Sequence, residues 1–199
     1  SIKVNGEKTA FGKPFDENSI PSPVDFYAIS KNEAEKGLRE LAASSPLEVT
    51  IIRPTLVYGE GAKGNVQRLR RMIEKGIPLP LASVSQNKRS MIHIDNLVSM
   101  LIACAEHPQA AGETLIASDN HDMSTTEFVS YLAKLDGRSV KQIPFPVRLL
   151  NILGRLLRRG AEIKRLTGTL QVNIGYTMRV LDWEPPRQVG VPCTRHSAK

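Results

Sequence analysis

The feature that most limits how this chain can fold is its alternation of short β-branched runs with longer helical stretches. Glu48-Val-Thr-Ile-Ile-Arg53 is compact and rich in β-branched residues, as buried strands are. It follows a helical stretch, residues 25–44, in which Ala28, Ala34, Leu38, Leu41 and Ala42 form an apolar stripe. The pattern repeats: a helix over 65–75 ended by Gly76, a strand over 89–94, a helix from Asp95 as cap to His107, and a strand from Glu113 to Ala117. Ser124-Thr-Thr-Glu127 is a capping box opening a helix to Leu135. Val140–Ile143 reads as a further extended piece. Pro146 opens a helix with Leu149, Leu150, Leu153, Leu156 and Leu157 on one face, expected to pack on a core. Strands and helices alternating at this spacing predict an α/β fold with a largely parallel sheet. Ser1–Gly6 reads as a strand end, and the Gly-, Pro- and Ser-rich residues 7–24 as a surface loop.

Composition narrows the partners. The formal charge is +7, which suits an anionic ligand. Aromatic residues make up 5% and do not interleave with the basic ones, so a base-stacking nucleic-acid surface is not expected. No apolar run reaches the roughly 18–20 residues of a membrane span, and no signal-peptide pattern is present. Cys104 and Cys193 are too few for a disulfide framework or zinc site, which points to a reducing, cytoplasmic setting.

Chemistry concentrates at Tyr27-Ala-Ile-Ser-Lys31. Four residues apart on a helix, the phenol and the ammonium share a face. A nearby ammonium favours the phenolate, so the pair can move a proton to or from a substrate hydroxyl. The spacing by itself is weak evidence, because tyrosine and lysine fall four apart by accident often enough. Two other patterns carry less. Gly59-Glu-Gly61-Ala-Lys-Gly64 has the glycines of a dinucleotide loop but lies six residues past Arg53, and no acidic residue follows about 20 positions on. His93-Ile-Asp95 and His121-Asp122 are not completed into metal sets, so structural histidines are expected.

Five blocks in order extend the pair: Ser1-Ile-Lys-Val-Asn-Gly-Glu7, Tyr27-Ala-Ile-Ser-Lys31, Arg53-Pro-Thr-Leu-Val-Tyr-Gly59, Arg89-Ser-Met-Ile-His-Ile-Asp-Asn96 and Leu181-Asp-Trp183-Glu-Pro185. Together they resemble the extended short-chain dehydrogenase/reductases, within them the NAD-dependent epimerase/dehydratase family, and there the sugar-nucleotide 4-epimerases of bacterial surface-polysaccharide pathways. The resemblance runs from Ser1 to about Pro186. It starts in the middle of the family's pattern, so the chain is expected to be a C-terminal part, inactive alone, whose first strands and glycine-rich NAD loop lie outside it.

The resemblance implies a partial Rossmann-type parallel sheet, bearing the Tyr/Lys helix, over 1–76, a small mixed lobe for the sugar nucleotide over 77–186, and a tail over 187–199. It implies NAD, or NADP, as cofactor, a UDP-hexose or UDP-N-acetylhexosamine as substrate, and a homodimer. By the same resemblance Ser1 hydrogen-bonds the sugar C4 oxygen, Tyr27 removes the C4 hydroxyl proton, and Lys31 binds the nicotinamide ribose. Pro54 lies against the nicotinamide, and Lys3 sits near the sugar. Asn65 contacts the diphosphate, Leu79 and Leu81 frame the uracil, and Arg89 and Arg165 hold the diphosphate. The related 4,6-dehydratases carry an Asp-Glu pair where Ile2 and Lys3 stand in this chain, which speaks against dehydration. A 4-ketoreductase of a UDP-deoxysugar and a non-catalytic sugar-nucleotide-binding module are the alternatives.

Overall fold

The computed structural model describes residues 1–10 and 12–189. Cys193, with positions 190–199 of the expected tail, lies outside them. After a 3-10 turn at Ile2–Val4 the elements are α1 (Phe26–Ala43), β1 (Ile51–Pro54), β2 (Leu56–Tyr58), α2 (Asn65–Glu74), β3 (Arg89–His93), α3 (Ile94–Glu106), β4 (Thr114–Ala117), β5 (Asp122–Met123), α4 (Thr125–Leu135), α5 (Val147–Leu156), α6 (Gly160–Thr167) and α7 (Gly175–Leu181).

The fold is α/β with parallel pairing, as the alternation predicts. β1 pairs parallel to β4, Ile51 opposite Thr114, and β2 pairs parallel to β3, Leu56 opposite Met91. The short β5 adds antiparallel to β3. Thr55, between β1 and β2, sends both its backbone N–H and its hydroxyl to the Ala117 carbonyl. The strand expected at 48–53 is observed at Ile51–Pro54, in register with Thr114–Ala117. The extended pieces 79–81 and 140–143 form a bridge through Leu79 and Gln142 rather than strands. Two apolar clusters result. One gathers Tyr58, Val66, Ile73, Leu79, Met91, Phe128 and Leu132. The other gathers Ile2, Ile92, Met100, Leu115, Ile116, Ile174 and Trp183.

Several local expectations change. Ser1–Gly6 is not a strand: the Val4 and Asn5 N–H groups bond back to the Ser1 and Ile2 carbonyls, closing a 3-10 turn that buries Ile2 and Val4. In α1 the buried residues are Ala28, Asn32 and Glu35, while Leu38 and Leu41 are exposed. Glu35 is drawn inward by the buried Arg53, which it meets at 2.6 Å. The leucines of α5 are likewise mostly exposed, and only Leu150 is buried among them. α6 and α7 are not predicted from the sequence.

α3 is capped two residues earlier than Asp95, at His93. His93 Nδ1 accepts the Asp95 N–H at 3.1 Å, and Asp95 occupies the first turn, where its charge suits the helix dipole. His93 is buried and stacks edge-on against Tyr58, with ring centroids 5.1 Å apart, so it is structural. Burial, then the Arg187 charge, holds its pKa below the usual histidine value. The sign follows from linkage. The folded state prefers neutral imidazole, so the stability from this group is complete above about pH 6.5 and falls as the unfolded chain takes up the proton. We expect the thermal midpoint to drop between about pH 7 and pH 5, and His93→Asn, which keeps an acceptor for the cap, to drop less. Equal pH slopes for the two proteins would contradict this.

Gly59 shows why glycine is needed after Tyr58. Its φ is +123°, and an added Cβ would lie 2.7 Å from Ile94 Cγ2 and 2.9 Å from His93 Nε2. The glycine lets the β2 end pass close over the start of α3. That is a packing role, not a phosphate cradle.

Candidate active site

The site is built on the start of α1. Asp25, in extended backbone, accepts the Ala28 N–H at 2.7 Å and so fixes where the helix begins. That places Tyr27 in the first turn, 53% exposed, with the Lys31 ammonium 5.5 Å from its ring centroid. The two side chains share a face, as their spacing predicts. The 3-10 turn lies against α1 and β1. Because Ile2 and Val4 point inward, Lys3 points out, and its ammonium stands 5.6 Å from the same ring centroid. Tyr27 therefore has two cations within about 6 Å of its ring centroid. Ser1 precedes the turn at its N-cap position, with no side-chain cap hydrogen bond.

From Lys3 a line of charge leads to the two arginines. Lys3 Nζ bonds Asp25 Oδ2 at 2.6 Å. This bond, then the Ala28 N–H, holds the Asp25 carboxyl below its ordinary range. Arg165, on α6, reaches Asp25 at 3.2 Å and Glu7 at 3.1 Å. Arg89, opening β3, donates to the Arg165 and Gly168 carbonyls. Burial, then the charge of Arg165, pushes the Arg89 pKa down to about 10. Five residues singled out by sequence, Lys31, Tyr27, Lys3, Arg165 and Arg89, thus form one continuous series.

The others stand apart from it. Asn65 is exposed at the first position of α2. Pro54 ends β1, half-buried. The Leu79 and Leu81 side chains are buried in the first apolar cluster, and the Leu79 backbone pairs with residues 141–143. Two surface hollows, of about 530 and 260 Å³, are lined by residues around Trp183 and around Tyr176. None of the residues given a catalytic, cofactor or substrate role lines either hollow, so we place the site on the charged series rather than in them.

One part of the arrangement escapes a reading of the sequence. Arg53, just before Pro54, is 2% exposed. Its guanidinium grips the Glu35 carboxylate through Nε and Nη2, the latter at 2.6 Å, and donates from Nη1 to Asn5 Oδ1 at 3.2 Å. Asn5 follows the Ser1 turn, Glu35 lies one turn beyond Lys31, and Arg53 immediately precedes Pro54. One buried ion pair therefore locks together the three segments that carry Ser1, the Tyr27–Lys31 pair and Pro54. The available signal was an arginine inside a strand otherwise read as buried, since such a charge requires a partner.

The α/β fold and the tyrosine–lysine pair on its first described helix can be set beside known proteins. Residues 1–117 match the model of the NAD dependent epimerase/dehydratase family, and the chain belongs to that family. It is 48% identical over 187 residues to a UDP-glucose 4-epimerase of Vibrio cholerae, covering 94% of this chain and 57% of that protein. It is 30% identical over 139 residues to an N-acetyl-alpha-D-glucosaminyl-diphospho-ditrans,octacis-undecaprenol 4-epimerase of Escherichia coli O157:H7, covering 68% of this chain and 42% of that one. The fold matches a UDP-glucuronic acid 4-epimerase of Bacillus cereus solved with NAD, with TM-score 0.72 and 18% identity over 94% of this chain and 55% of that chain. The chain spans about half the length of the curated relatives it matches.

Proposed function

We propose that the protein carrying this chain is a UDP-sugar 4-epimerase, acting on a UDP-hexose or UDP-N-acetylhexosamine with NAD or NADP. The observation that carries this reading is the exposed Tyr27 ring with the Lys31 and Lys3 ammonium groups both near it. The 48% identity to a UDP-glucose 4-epimerase supports it. Residues 1–76 would belong to the dinucleotide-binding part and 77–186 mainly to the sugar-nucleotide lobe.

The residues present fit a nicotinamide dinucleotide. No ion pair or hydrogen bond engages Lys31 among the described residues, so its three donors are free for a ribose. Half-buried Pro54 offers a flat apolar edge for the nicotinamide. A nicotinamide dinucleotide held by Lys31 and Pro54 would supply reversible hydride acceptance at C4. The chain's own part is proton transfer and placement. Tyr27 takes the C4 hydroxyl proton and gives it back. Ser1 orients the C4 oxygen. Arg89 and Arg165 face the diphosphate, a task that suits the forked guanidinium, with Asn65 beside it. Because Arg165 already pairs with Glu7 and Asp25, a diphosphate competes with two carboxylates for it. Leu79 and Leu81 support the base from behind. Free Cys104 suits a reducing cytoplasm. A homodimer through α1, where Phe26 and Leu41 are exposed, belongs to the same reading.

The test is product analysis of the natural-length protein with UDP-glucose and UDP-N-acetylglucosamine. We expect the C4 epimer of at least one, with no net change in the nicotinamide absorbance. One cofactor consumed per product would make the protein a reductase. Binding without any product would make it a non-catalytic module.

A further inference from the structure

α5 carries an apolar face that nothing in the described structure covers. At 100° per residue, Leu149, Ile152, Leu153 and Leu156 fall within about 100° of one another. They are 47%, 51%, 45% and 74% exposed, and Leu157 just after them is 67% exposed. The helix is anchored by a different side, through Leu150 and Gly154, where the Ile163 side chain of α6 packs so closely that a Cβ on Gly154 would meet it at 2.6 Å.

Charge surrounds the stripe. Arg148 and Arg155 lie along one edge of it, and Arg158 and Arg159 follow the helix end, all exposed. None pairs with a carboxylate among the described residues. Glu162, the one acidic residue between positions 146 and 165, is taken by Arg68 at 3.2 Å.

We propose that this face docks the protein on a bilayer surface bearing anionic lipid headgroups. The helix has 10 residues and so spans about 15 Å. It is far too short to cross a bilayer, but it suits lying in the interfacial plane with its leucines among the acyl chains and its arginines at the phosphates. Charge complementarity selects this occupant over a second copy of the chain, which would bring the same unpaired arginines face to face. The inference concerns where the protein sits and does not depend on the 4-epimerase reading.

The experiment is vesicle co-sedimentation of the natural-length protein, with phosphatidylcholine vesicles with and without phosphatidylglycerol. Binding is expected only with the anionic lipid and should weaken with added salt. Arg148→Gln/Arg155→Gln should weaken it roughly thirtyfold, and Leu153→Gln/Leu156→Gln by on the order of tenfold or more. Both variants alter exposed side chains outside the candidate active site, so their melting curves and turnover should match the parent. Absence of sedimentation with the anionic vesicles would overturn the proposal, as would leucine and arginine variants that bind like the parent. So would a dimer that becomes monomeric on Leu153→Gln/Leu156→Gln while neither form binds lipid, because the stripe would then be a contact between copies.

Discussion

Replacing Tyr27 by phenylalanine lowers turnover of the natural-length protein by about 10²–10⁴-fold, the usual worth of a positioned acid–base group. The ring stays, so the packing between Lys3 and Lys31 stays. Only the hydroxyl that exchanges the proton is lost. Affinity for the sugar nucleotide should change little, because the series through Lys3, Asp25 and Arg165 does not pass through the phenolic oxygen. The variant should therefore lose kcat and leave the dissociation constant, measured by calorimetry, near the parent value. Unchanged turnover would remove Tyr27 from the mechanism. Loss of binding with loss of turnover would make it an anchoring residue instead.

Glu35→Ala is expected to destabilise the fold by about 3–5 kcal/mol, which for a chain of this size is a fall in Tm of roughly 6–20 °C. The substitution leaves the Arg53 guanidinium, 2% exposed, with Asn5 Oδ1 as its remaining side-chain partner. Arg53→Met/Glu35→Leu removes both charges and should recover much of the loss, since a buried pair owes much of its apparent strength to the penalty for leaving one member alone. The double variant should still turn over poorly. Without the Arg53 bond to Asn5 the turn bearing Ser1 loses its buried tie to β1. A single variant that melts with the parent would show the pair to be incidental.

How far the sequence reaches is clearest at particular residues. Alternation was enough for α/β with parallel pairing, and Ser124 with Glu127 form the capping box that their spacing predicts. These signals are local, carried by residues three or four positions apart. The Tyr27–Lys31 face is legible for the same reason. Ser1–Gly6 misleads because alternating Ile2 and Val4 look like a strand edge, while the backbone satisfies itself in a 3-10 turn. The carboxylates on Arg165 could not be read at all, since Glu7 and Asp25 lie 158 and 140 positions away in sequence. Nor could the fate of the α5 leucines: periodicity names an apolar face but not what covers it. α6 and α7 are short, and no side-chain cap announces either start.

In the proposed mechanism Tyr27 handles only the hydroxyl proton, never the hydrogen on C4. The direct measurement is epimerisation of a UDP-sugar deuterated at C4, with the product read by NMR. A hydride route predicts that the deuterium remains on C4 of the epimer. Loss of the label to water would mean that the C4 hydrogen leaves as a proton, and would contradict that mechanism.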